Sequence, residues 1–126
     1  KKIWQFGIRS GEKYEFEWAK KHNTINKFDL NGLDDLICEL KEANLPVYFT
    51  VDLDVLDPSV FPGTGTPEPG GISYKKLQDA VIKVCGGLNI IAADVVELCP
   101  HYDQSGASTA IACKILRELL LALSGR

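Results

Sequence analysis

Val47-Tyr48-Phe49-Thr50-Val51-Asp52-Leu53-Asp54 is a β-branched and aromatic run that ends in two acids. Such a run suits a central strand covered on both faces. On its N-terminal side, Leu33, Leu36, Ile37 and Leu40 recur at i, i+3, i+4 and i+7, an amphipathic helix that ends near Asn44, before Pro46. On its C-terminal side, Ser73 is placed to cap a second such helix carrying Leu77, Ala80, Val81 and Val84, stopped by Gly86-Gly87. Residues 88–96 form another apolar strand run, interrupted only by Asn89 and Asp94. A last helix is expected over 107–123, with Ile111, Ile115 and Leu119 on one face. Nearer the start, residues 3–8 read as a short buried strand and 25–28 as another. Between them, Tyr14, Phe16 and Trp18 alternate like a strand, but the Tyr14/Trp18 spacing and the Glu and Lys content favour a helix over 12–21. Strands alternating with helices predict an α/β fold: a mainly parallel sheet between two helical layers. Ligands of such sheets sit at the carboxyl ends of the strands.

Composition narrows the class. The 126 residues are 45% apolar and 25% charged, the make-up of one ordinary domain. Fourteen Lys and Arg against seventeen Asp and Glu give a formal charge of −3 without a basic block, which argues against a nucleic-acid binder. No apolar run reaches the roughly 18 residues of a membrane span, and no leading basic, apolar and small-residue pattern marks a signal peptide. The sequence has no Met and opens Lys1-Lys2-Ile3-Trp4, which reads as an internal stretch of a longer enzyme. Cys38, Cys85, Cys99 and Cys113 contain no C-x-x-C pair, and all but Cys99 sit in apolar helical patterns. Reduced core thiols and a cytoplasmic protein are expected.

Asp52 and Asp54 carry the chemistry. With a strand period of 2 they point to one side, roughly 6–7 Å apart along the chain. Two like charges there are costly to desolvate without a cation, and carboxylates favour hard divalent ions. The competing reading is a solvated loop start, which ordinarily needs one Asp rather than two on one face. Asp57-Pro58 fits that structural role better. A calcium loop counted from Asp52 puts Asp57 and Gly63 where Gly and Glu are required, so it fails. A haloacid-dehalogenase-like phosphotransferase pattern is a near miss, with Leu56 at its fifth position. A two-metal hydrolase site remains. The loop Gly63-Thr64-Gly65-Thr66-Pro67-Glu68-Pro69-Gly70-Gly71 has Glu68 where G-x-G-x-x-G needs its third glycine, so it reads as a rigid, shaped loop beside the acids.

These blocks, taken with Asp94-Val95-Val96-Glu97-Leu98-Cys99-Pro100-His101-Tyr102-Asp103 and Gly7-Ile8-Arg9-Ser10-Gly11-Glu12, closely resemble the ureohydrolase family of arginases and agmatinases. The Tyr102-Asp103 ending is more like the agmatinases. The resemblance implies an arginase-like three-layer αβα fold, of which residues 1–126 are the C-terminal part of a single domain. It implies hydrolysis of a guanidino compound, agmatine to putrescine and urea, at two Mn²⁺ ions. Asp52 would bridge the metals, Asp54 would bind one of them, and Glu97 would accept the substrate's guanidinium, a planar fork of donors that a carboxylate matches. His101, close to Glu97 in sequence, could line the substrate entrance. His22 and Asp94 read as structural. The family's other metal ligands, a histidine and an Asp-x-His-x-Asp segment, precede the stretch matched here, so the 126 residues alone are expected to be inactive. The implied partners are the small guanidino substrate and further copies of the chain, as trimers or hexamers, with no nucleic acid and no membrane. Two other readings stay open at this point: a phosphotransferase with Asp52 as nucleophile, and a ureohydrolase-like module kept for binding or assembly.

Overall fold

The computed structural model describes residues 2–125. In chain order it contains β1 (Ile3–Ile8), α1 (Lys13–His22), β2 (Asn23–Lys27), α2 (Leu33–Ala43), β3 (Pro46–Asp52), a 3-10 turn (Leu53–Val55), α3 (Tyr74–Gly87), β4 (Asn89–Val96), a second 3-10 turn (Pro100–Tyr102) and α4 (Ala107–Leu123). The expected α/β alternation is present. β1 pairs with β2 and β3 with β4, each in parallel, the arrangement that helical crossovers require. The ambiguous segment after β1 is helical: Glu12 N donates to Glu15 Oε2 at 2.7 Å, satisfying a donor at the helix start. Ser73 caps α3 by accepting from Lys76 N at 3.3 Å.

The apolar core lies on one face of the β3–β4 pair. Val51, Leu53, Leu56, Phe61 and Ile72 meet Leu77, Val81 and Cys85 of α3 and Ala112, Ile115 and Leu119 of α4, with Phe49, Ala93 and Val95 packed against them. Among the described residues nothing covers the other face, so these 126 residues supply one of the two layers expected beside this strand. Tyr48 is 61% exposed, Ile91 67% exposed, and Thr50, Asp52, Ala92 and Val96 are exposed with them. The cause is local: α3 and α4, the helices beside this pair, both pack on the side that carries Phe49 and Val51. A register shift in β4 keeps the two faces in phase. Val47 pairs with Ile90 but Tyr48 with Ala92, leaving Ile91 as an extra residue.

The cysteines also depart from expectation. All four are free, but only Cys85 is buried, and burial pushes its thiol up to about 11. Cys38 and Cys113 are exposed on α2 and α4, since each falls beside the apolar stripe of its helix and not within it. Among the described residues, no helix is long and apolar enough to cross a membrane.

A candidate carboxylate site at the strand ends

β3 delivers Asp52 to its carboxyl end, on the open face with Tyr48 and Thr50. The chain then leaves the strand for the 3-10 turn, so strand alternation does not govern Asp54. A capping contact joins the two acids instead: Asp54 N donates to Asp52 Oδ1 at 3.0 Å. The second oxygen of Asp54 accepts from Thr66 Oγ1 at 3.2 Å, which ties the Pro/Gly-rich loop to the pair.

Glu97, directly after β4, brings a third carboxylate whose charge acts on Asp52. It has φ of +67°, in the left-handed region that non-glycine residues rarely occupy, and such strain concentrates at functional positions. Its Oε2 lies 3.6 Å from where a Cβ on Gly65 would stand, so the loop's glycine faces this carboxylate. Asp52 registers the crowding. Burial of its carboxyl group raises its pKa to about 6, with further raising from the charges of Asp54 and Glu97, against the lowering hydrogen bond from Asp54 N.

The loops that carry these acids are fixed by two further aspartates. Asp57 accepts from Ser59 Oγ at 2.5 Å, Ser59 N at 3.0 Å, Gly70 N at 2.9 Å and Gly71 N at 3.2 Å, closing both ends of the loop on one carboxylate. The Ser59 hydroxyl and these amides hold its pKa down to about 2. Asp103 accepts from Ser105 Oγ at 2.6 Å, Ser105 N at 3.0 Å and Ser108 N at 2.7 Å, which hold its carboxyl well below the usual range. Ser108 Oγ accepts from Gly63 N at 2.9 Å, and Gly63 O accepts from Cys99 N at 2.7 Å. The Gly63 loop, the segment after β4 and the start of α4 are thereby one bonded unit.

The other residues marked in the sequence fall elsewhere. Asp94 accepts from Tyr48 Oη and from Thr50 Oγ1, the latter at 2.5 Å, across the open face of the sheet. His101 is exposed on the second 3-10 turn, and its carbonyl accepts from Gln104 Nε2 at 3.2 Å. His22 stacks on Trp18, with ring centroids 4.2 Å apart. Thr66 and the Asp103–Ser108 anchor were not singled out from the sequence. An Asp two and five residues before Ser105 and Ser108, at a helix start, is the signal that marks the anchor. A concavity of about 430 Å³ lined by Lys13, Phe16, Glu17, Lys20 and Lys27 shares no residue with the acids, and its lysines suit a surface groove more than this chemistry.

The donor set fits a hard divalent cation in kind: two carboxylates in contact and a third near them, with the pKa of Asp52 raised by burial first and by the charges of Asp54 and Glu97 after it. It is short in number. Among the described residues, no three His, Cys, Asp or Glu side chains gather closely enough to hold an ion.

Comparison with known proteins gives a consistent result. The profile of the Arginase family matches residues 1–122. An agmatinase of Bacillus cereus is 47% identical over 122 residues, covering 94% of this chain and 41% of its own length. A solved structure from Clostridium difficile, provisionally titled an agmatinase, superposes with a TM-score of 0.90 at 49% identity, over 98% of this chain and 45% of that one. The agmatine ureohydrolase of Thermoplasma volcanium superposes with a TM-score of 0.81 at 31% identity, over 97% of this chain and 42% of that one. The chain thus spans less than half the length of the proteins it matches.

Proposed function

Because the chain belongs to the arginase family, and because Asp52 and Asp54 at the end of β3 feel the charge of Glu97 after β4, we propose that it is the C-terminal part of a single ureohydrolase domain that hydrolyses a guanidino compound, agmatine to putrescine and urea. The observation that carries this reading is the Asp52–Asp54 pair with the charge of Glu97 acting on it, an excess of negative charge that a cationic substrate and divalent metals would both relieve. The family match sets the phosphotransferase reading aside.

In this proposal Asp52 and Asp54 would be this chain's ligands to the Mn²⁺ ions. The remaining ligands come from a part of the protein beyond these 126 residues. When bound, the metals supply Lewis acidity and lower the pKa of water. This chain's residues do the rest. The Asp54 N–H orients one oxygen of Asp52, and the Thr66 hydroxyl occupies one oxygen of Asp54, which leaves the other oxygens free for a cation. Glu97 accepts from the guanidinium and holds it in plane, and its strained backbone fixes the direction of approach. His101 lines the entrance. The free thiols accord with a cytoplasmic enzyme, and the complete protein assembles as a homo-trimer or hexamer.

Urea release from agmatine by the intact protein with Mn²⁺ tests the proposal. Asp52→Asn and Asp54→Asn should abolish turnover. Glu97→Gln should weaken use of the substrate by about 10–100-fold, the worth of a charge-assisted pair. No urea from the intact protein with any divalent metal would leave the binding or assembly module as the reading. Turnover by the 126 residues alone would show that the site needs no further ligands.

A further inference from the structure

The geometry points to Arg9 as the residue that positions Asp54 for the metal, acting through Asp54's main chain; this rests on the proposed role of the acid pair. Arg9 follows β1, far in sequence from the acids. Its guanidinium nevertheless gathers four main-chain carbonyls from three segments. Nη2 donates to Asp54 O at 2.5 Å, Nη1 to Val55 O and to Gly7 O at 3.3 Å each, and Nε to Glu68 O at 3.1 Å. No carboxylate takes part in these four bonds, so Arg9 is not serving as a counter-charge. It is cross-linking backbone.

The acceptors explain the need. A 3-10 turn leaves its last carbonyls without partners inside the turn, and Asp54 O and Val55 O are those groups here. Ile72 N reaches Val55 O at 2.9 Å, while Arg9 takes Asp54 O. The bond to Glu68 O holds the middle of the loop whose Thr66 touches Asp54 Oδ2. The same side chain therefore sets both the backbone of Asp54 and the hydroxyl that orients its carboxylate. Gly7 lets β1 come close enough: a Cβ there would stand 2.4 Å from Val55 Cγ2, and its φ is +74°. Only a planar fork with five donors can serve four acceptors spread this way, whereas a lysine ammonium has three donors at one point.

The test uses the intact, metal-free protein titrated with Mn²⁺ and followed by electron paramagnetic resonance, with Arg9→Ala and Arg9→Lys beside the wild type. Both variants should bind Mn²⁺ 10–100-fold more weakly, the usual effect of losing a group that orients a ligand. The metal-free melting temperature of Arg9→Lys should stay near that of the wild type, and at saturating Mn²⁺ the KM for agmatine should change less than threefold. Wild-type Mn²⁺ affinity in both variants, or full recovery with lysine, would overturn the positioning role alone. Variants that lose their folded circular-dichroism signal would make Arg9 a scaffold residue and overturn it too. A wild-type protein that binds no Mn²⁺ would overturn the reading of the acid pair, and this inference with it.

Discussion

At the scale of single residues, Glu97 combines a carboxylate the site uses with a backbone the fold resists. A side chain in the left-handed region costs about 1–2 kcal/mol relative to glycine. Glu97→Gly should therefore be more stable than Glu97→Ala by about 1 kcal/mol in denaturant melts, although both lack the acid. Equal stabilities would mean the surrounding loop relaxes freely. Thr64 offers a second measurement. It is 1% exposed, and its hydroxyl has no partner among the described residues. Thr64→Val keeps the shape and removes the unpaired group, so melting should rise by the equivalent of about 1 kcal/mol. The acids themselves were legible, because two aspartates after an apolar run are conspicuous. The strain at Glu97 and the reach of Arg9 were not, since both depend on loops folding back over tens of residues.

At the scale of elements, the loop between β3 and α3 is closed by Asp57. Its folded pKa, about 2, lies below the ordinary 3.8, so its contribution to stability is complete above pH 3.8 and is lost as pH falls through 2. Asp57→Asn should melt lower at neutral pH and show a flatter loss of stability between pH 4 and 2. Identical acid limbs for variant and wild type would contradict this. The latch also fixes Gly71, where a Cβ would stand 2.3 Å from Asp57 N. Gly71→Ala should cost about 1–3 kcal/mol. Helix and strand positions were readable from periodicity: β1 and α4 fall on the expected residues, and α1, α2 and β3 within one or two. Period-2 reasoning stopped being valid at Leu53, where the chain tightens into the 3-10 turn. Asp52 and Asp54 do lie together, but through a capping hydrogen bond that alternation could not foresee.

At the scale of the molecule, the buried core is uneven. Its main cluster runs from Val51 to Leu119, while β1, α1 and β2 contribute Ala19 as their one buried apolar side chain among the described residues. Amides of β1 and β2 in the 126-residue chain should exchange with solvent faster than those of α3 and α4, as measured by hydrogen exchange. Uniform protection would show that the two strand pairs open as one unit. Fold class was legible because alternating patterns survive in any α/β sequence. The coverage of each sheet face was not, since a strand's composition does not tell how many helical layers this stretch supplies.

The extra residue in β4 has a consequence for how such a protein can change. Were Ile91 deleted, Val47–Ile90 and Tyr48–Ala92 would become consecutive pairs, and the strands would run in regular register with Asp94 still opposite Thr50 and Val95 opposite Val51. The bulge is thus a reserve of one residue: a single lost codon there leaves every other side chain on its present face. A second loss would find no such reserve and would turn Asp94 toward the core.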